Sequence, residues 1–379
     1  MIEDVETIAV LGAGTMGHGI AEVAALAGYD VNLRDIKEEF VQNGYDAVED
    51  SVESLDEKGK IDDSDEVMSR ITPLVDMGEA VGDADYVIEA VPEKMEIKQD
   101  VWGATDEEAP DDAVFASNTS SLSITRLSEI TDRPESFVGM HFFNPPVIMD
   151  LVEVIRGDHT SDETVEKTEA LAEDLGKTPV RVSKDSPGFI VNRLLIPYIN
   201  EACWTVEEGE ASLGEVDAVK NDLGLPMGPF ELSDQIGNDI NLDILEYLQE
   251  EIDDSYEPCP LLEQKVEDEK LGRKTGEGFY DYDEEVEIPD EGVDPLRVMC
   301  IAVNEGAKLV DNNVADPERI DTAMKLGAAF SEGPMEYADE RGLDEVVEEL
   351  DSLEEEYGAQ RYEASDLLRQ KAESGETFH

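Results

Sequence analysis

The stretch TIAVLGAGTMGHGIAEVAALAGYDVNLRD, residues 7–35, limits the possible folds more than any other part of the chain. Residues 7–11 form a short apolar run of strand type. Gly12, Ala13, Gly14, Thr15, Met16 and Gly17 follow, and then Ile20, Val23, Ala24, Leu26 and Ala27 recur at helical spacing. A second strand-like run, 30–34, ends in Asp35. GxGxxG between a strand and a helix, with an acid about 20 residues further on, is the fingerprint of a dinucleotide-binding βαβ unit. The glycines permit a tight turn and let backbone approach a pyrophosphate seated on the helix N-terminus. Asp35 would accept hydrogen bonds from the adenosine ribose and repel a 2′-phosphate, which favours NAD over NADP, while Arg34 beside it works the other way.

The pattern continues beyond this unit. ADYVIEAV from Ala84 and VFASN from Val114 read as further buried strands separated by helical stretches. Alternating β and α implies a doubly wound parallel sheet, with ligands beyond the carboxyl ends of the strands. Asn118, Thr119, Ser120 and Ser121 fall at such an end, ahead of a helix starting near Ser123. Past residue 187 the chain reads as helical, and it repeats itself. NEACWTVEEG from Asn200 is echoed by NEGAKLVDNN from Asn304, and Asp217 follows the first as Asp321 follows the second. MGPFELSDQIG is echoed by EGPMEYADERG, with the acidic stretch 281–295 between the copies. The expected layout is a Rossmann-type α/β domain at 1–186, then an all-α domain in duplicate at 187–288 and 296–379. The second copy has DPLRVMCIAV where the first has PGFIVNRLL, so no counterpart of Asn192 is expected there.

Charge decides which partners are open to the chain. Asp and Glu number 95 against 28 Lys and Arg, a formal net of −67 in 379 residues, and the acids are spread throughout. Binding to nucleic acid or an anionic membrane through bulk charge is excluded. Repulsion on this scale is screened at molar salt, where the Debye length is about 3 Å, so a salt-rich cytoplasm is the expected setting. The first residues lack a basic, then apolar, signal pattern, and no apolar run is long enough to span a bilayer. Cys203, Cys259 and Cys300 lie far apart and suggest neither a disulfide framework nor a metal site.

Residues 138–154, VGMHFFNPPVIMDLVEV, contain one of only four histidines, His141, and place Glu153 in an apolar run. A carboxylate buried in a strand is costly unless paired. A His141–Glu153 pair resolves both oddities. An imidazole, with an ordinary pKa of about 6.5, suits reversible proton transfer. The other histidines have plainer readings: His18 at a helix start, His159 in a turn and His379 at the last position. Glu89 and Glu96 read as local structure and helix surface.

GAGTMG, IEAVPEKMEIK, ASNTSSL, GMHFFNPPVIMDLVEV, DSPGFIVNRLL, LGLPMGPFEL and GRKTGEGFYDY, taken in order, resemble the L-3-hydroxyacyl-CoA dehydrogenase family over residues 7 to about 282. The resemblance implies that His141 is the general base at the substrate's C3 hydroxyl and that Glu153 orients its ring. It implies that Ser120 and Asn192 bond the reacting oxygen, with Asn144 supporting the turn. Asp35, Glu93, Lys98, Asn118 and Lys274 fall on cofactor positions, and the implied partners are NAD and an acyl-CoA. Single-copy members dimerise through the helical domain; a duplicated one can pair with itself within the chain or self-associate. One departure concerns CoA. The helical hairpin that carries phosphate-binding lysines in the family is acidic here, with lysine only at Lys58 and Lys60. A dehydrogenase of a free hydroxy acid such as gulonate, and a non-catalytic crystallin-like binder of NAD, are the competing readings.

Overall fold

A computed structural model describes residue 2 and residues 4–379, which form two compact units, Met1–Ser186 and Pro187–His379. The first is built on an eight-stranded sheet: β1 Thr7–Leu11, β2 Asp30–Arg34, β3 Ile71–Leu74, β4 Tyr86–Glu89, β5 Val114–Ser117, β6 Phe137–Phe142, β7 Leu151–Ile155 and β8 Thr178–Val182. Their order in the sheet is β3-β2-β1-β4-β5-β6-β7-β8. The reversal between β1 and β4 opens a crevice at the strands' carboxyl ends, where open α/β sheets hold ligands. Ile8, Val10, Val31, Leu33, Ile88 and Ala116 pack on one face of this sheet and Ala9, Leu11, Val87 and Phe115 are buried on the other, so the strands are apolar on both faces, as a helix-covered sheet requires.

The sheet is not parallel throughout. β1 to β6 are parallel, but β7 runs antiparallel to β6, and β8 is parallel to β7. The cause is chain length. Residues 143–150 fall short of the dozen or so that a parallel crossover needs, so the chain folds straight back. Lys177 holds that return loop by donating to the carbonyls of Pro146 at 2.6 Å and Met149 at 2.9 Å.

The second unit contains both copies of the repeat. Helix Val191–Glu207 of the first packs against helix Leu296–Asp311 of the second. Equivalent residues make equivalent bonds. Asn200 Nδ2 donates to the carbonyl of Glu257 and its Oδ1 accepts from the Cys259 N–H. Asn304 does the same with Glu363 and Ser365. Asp217 accepts from the N–H groups of Phe230 and Glu231, and Asp321 from those of Met335 and Glu336. Among the described residues no helix is long and apolar enough to cross a membrane.

Candidate active site

The glycine turn is shaped by close approach. Gly12 has φ 103°, and a Cβ there would lie 2.5 Å from the Ala90 carbonyl oxygen. A Cβ on Gly17 would meet the Gly12 carbonyl oxygen at 1.7 Å, so the helix α1, Thr15–Leu26, can start against the turn only with glycine there. Between them Gly14 faces open space, and no side chain caps α1. Gly14 and Thr15 are exposed, so the first N–H groups of the helix face outward, where an anion would complete them. The side chain of Met16 is half-buried against the core. Asp35 steadies the turn: its Oδ2 accepts the Ala13 N–H at 2.8 Å and its Oδ1 the Ile36 N–H at 2.7 Å. These features fit a dinucleotide, with the pyrophosphate at the start of α1 and a ribose toward Asp35.

Behind the end of β5 lies an ionic cluster in which Glu89 and Lys98 are buried and Glu93 forms the exposed edge. Lys98, 1% exposed, places Nζ 2.6 Å from Glu89 Oε1 and 3.2 Å from Glu93 Oε2. Glu89 also accepts from the Val91 N–H and the Ser117 hydroxyl. Glu93 in turn accepts from the Thr119 hydroxyl and from the N–H groups of Ser120 at 3.0 Å and Ser121 at 3.2 Å. Desolvation alone would raise the Glu93 pKa, but Lys98, Thr119 and Ser120 outweigh it and hold it below the usual range. Desolvation likewise works against the Lys98 charge, and Glu89 and Glu93 overcome it and raise its pKa. The loop carrying Ser120 is therefore pinned by fixed charges. Asn118 ties β5 to β6 by accepting the Phe142 N–H on Oδ1 at 2.7 Å.

His141 and Glu153 are cross-strand partners in the β6–β7 register. Imidazole Nδ1 lies 2.7 Å from Glu153 Oε2. His141 is 6% exposed and Glu153 fully buried, and the Phe143 ring packs on the imidazole with centroids 4.5 Å apart. A carboxylate can only accept, so Nδ1 carries the hydrogen and Nε2 keeps the lone pair that can take a proton. Asn144, on the return loop, is exposed.

The remaining expected residues belong to the second unit. Asn192 is half-buried near the start of helix Val191–Glu207. Lys274 is bonded to both carboxylate oxygens of Asp239. His159 sits 3.6 Å from Glu129 at the surface, and Glu96 is exposed. Among the described residues no cluster of His, Cys, Asp or Glu is placed to hold a metal ion. Sequence reading passed over two features. Lys177 was one: Lys167, Arg181 and Lys184 lie nearby in the sequence, so nothing singles it out. His379 was the other: it donates to or accepts from Asp321 at 2.8 Å, and Asp339 takes the N–H groups of Phe378 and His379. Asp234 takes those of Phe279 and Tyr280 in the same way. GETFH at the last positions thus matches GEGFY, an echo that was visible in the sequence.

Sequence profiles settle the family. The NAD-binding domain of 3-hydroxyacyl-CoA dehydrogenase matches residues 7–186, and the C-terminal domain matches twice, over 188–282 and 296–378. The chain belongs to the 3-hydroxyacyl-CoA dehydrogenase family. It is an NAD-dependent oxidoreductase of that family, with the C-terminal domain present in two copies. Among relatives, a probable 3-hydroxybutyryl-CoA dehydrogenase of Deinococcus radiodurans is 46% identical over 276 residues, covering 72% of this chain and 99% of that one. The fatty acid oxidation complex subunit alpha of Psychrobacter cryohalolentis is 38% identical over 99% of this chain, which spans 56% of that longer protein. The crystal structure of 3-hydroxybutyryl-CoA dehydrogenase from Escherichia coli superposes with a TM-score of 0.91 at 30% identity, covering 98% of this chain and 99% of that one.

Proposed function

We propose that the protein interconverts (S)-3-hydroxyacyl-CoA and 3-oxoacyl-CoA in fatty-acid β-oxidation or short-chain CoA metabolism. The observation that carries this reading is the buried His141–Glu153 pair at the end of a dinucleotide-binding sheet. His141 Nε2 takes the proton of the C3 hydroxyl, while Glu153 holds the ring and stabilises the imidazolium that forms. NAD, when bound, accepts the hydride released from the same carbon. Ser120 and Asn192 donate hydrogen bonds to the reacting oxygen, and Asn144 supports the turn that presents the base. Gly12, Gly14, Thr15, Met16 and Gly17 seat the pyrophosphate through backbone, and Asp35 selects NAD over NADP. Glu93, Lys98 and Asn118 serve the cofactor by shaping the loop beside it, and Lys274 is a further cofactor residue.

The acidic surface supports a further reading, that this is a salt-adapted protein of haloarchaeal type working in the cytoplasm. The correspondence of bonds in the two helical copies supports an intrachain pseudo-dimer. The deciding experiment is NADH oxidation in molar salt with acetoacetyl-CoA against free acetoacetate. Turnover with the thioester alone is expected. Preference for the free acid would favour the gulonate-type reading, for which the acidic helix α2, Glu38–Glu57, is the one supporting observation. No turnover with either would favour a non-catalytic binder.

A further inference from the structure

We propose that Glu305, a residue of the second helical copy, is a positioning residue for the reaction, acting through Arg193 to fix the segment that carries Asn192. The inference rests on the role given to Asn192 above. Arg193 directly follows Asn192 and is 7% exposed, with Nε 2.6 Å from Glu305 Oε2. Glu305 is 4% exposed and has further partners: the Tyr256 hydroxyl donates to it at 2.6 Å and Lys308 Nζ at 2.7 Å. The Arg193 guanidinium also stacks over the Tyr256 ring at 4.8 Å. The segment just before is strained. Gly188 has φ 76°, and Phe189, a bulky residue, is held at φ 51° with its ring fully buried. A non-glycine residue persists in that region only where its surroundings over-determine it. The Arg193 N–H closes the turn on the Gly188 carbonyl at 3.0 Å. Asn192 is thus a half-exposed side chain between two buried neighbours, Val191 and Arg193, and Arg193 is anchored from the other copy.

The duplication supplies its own control. Arg297 Nε donates to Glu201 Oε1 at 2.7 Å, and the Tyr362 hydroxyl donates to the same oxygen at 3.0 Å. This is the same bridge in reverse, but the position equivalent to Asn192 is Leu296. Buried ion pairs lend little net stability, yet breaking one leaves an uncompensated charge. Loss of either bridge should therefore cost stability, whereas only loss of the Arg193 bridge should disturb Asn192.

Four variants of the full chain test this: Glu305→Gln, Glu201→Gln, Arg193→Lys and Asn192→Ala. Each is assayed in molar salt with acetoacetyl-CoA and NADH, well below the melting temperature read by circular dichroism. Glu305→Gln should lower kcat by about 10- to 100-fold, the scale of a small misplacement, with KM for NADH unchanged. Glu201→Gln should lower the melting temperature similarly and leave kcat at the wild-type value. If Glu305→Gln does not fold, Arg193→Lys, which keeps the charge but loses the planar fork, carries the same expectation. Equal loss of kcat in Glu305→Gln and Glu201→Gln overturns the inference. So does wild-type kcat in Glu305→Gln when Asn192→Ala is impaired. Full kcat in Asn192→Ala instead refutes the role of Asn192, and this inference with it.

Discussion

Because His141 and Glu153 face each other across one rung of the ladder, backbone hydrogen bonding sets their separation, and two flexible side chains need not find each other. Such preorganisation is what a general base requires. His141→Gln is expected to lower kcat by about 10²- to 10⁴-fold, the usual contribution of general acid–base catalysis, with NADH affinity by fluorescence titration unchanged. Glu153→Gln keeps the shape and loses the charge, so its kcat should fall between those of His141→Gln and the wild type. Wild-type turnover in both would refute the pair. Asp35 gives a separate test: Asp35→Ala removes the group that repels a 2′-phosphate, so the ratio of kcat/KM for NADH over NADPH should narrow. Wild-type preference for NADPH would contradict that role. At this scale the chemistry was legible because His141 and Glu153 are out of place in apolar surroundings. The Glu89–Lys98–Glu93 cluster was not, since Lys98, on helix Met95–Glu108, reads as surface until its burial is seen.

Single elements carry the fold's tightest constraint. Gly17→Ala would drive a methyl into the Gly12 carbonyl, so the turn and the start of α1 must separate. The expected result is a loss of NADH binding in titration, larger than that of Gly14→Ala, which meets open space. Comparable affinities would show that the turn yields. β1, α1 and β2 were readable because the period changes from strand to helix across a glycine turn. The direction of β7 was harder to read, because LVEVI is apolar whichever way it runs; only the length of 143–150 carries that information. Burial would raise the Glu305 pKa, but Lys308 and Arg193 overcome it and lower the pKa from the ordinary 4.5 to about 2. A carboxyl depressed by folding contributes stability that is complete above its unfolded pKa and is lost as pH falls toward its folded one. Wild-type melting temperature should therefore fall between about pH 4.5 and 2 more steeply than that of Glu305→Gln. Parallel curves would contradict this.

For the molecule as a whole, 95 acids against 28 bases set the response to salt. NAD and acyl-CoA are polyanions, and the average field of the protein opposes their approach. Both this repulsion and that within the fold weaken as the Debye length shrinks from about 10 Å at 0.1 M to about 3 Å at 1 M. Activity and melting temperature are expected to rise together over that range, with no steep climb in KM for acyl-CoA where circular dichroism shows the protein folded. Full activity and an unchanged melting temperature at low salt would refute salt adaptation. The covalent link between helices Val191–Glu207 and Leu296–Asp311 has a consequence of another kind. Two separate chains meeting through such a face would part on dilution, following their dissociation constant. Tethered copies instead see each other at an effective concentration set by the linker, on the order of millimolar for a short flexible one, however few molecules are present. Specific activity should hold constant as the enzyme is diluted from micromolar to picomolar, and a fall along that series would show that a second chain is required.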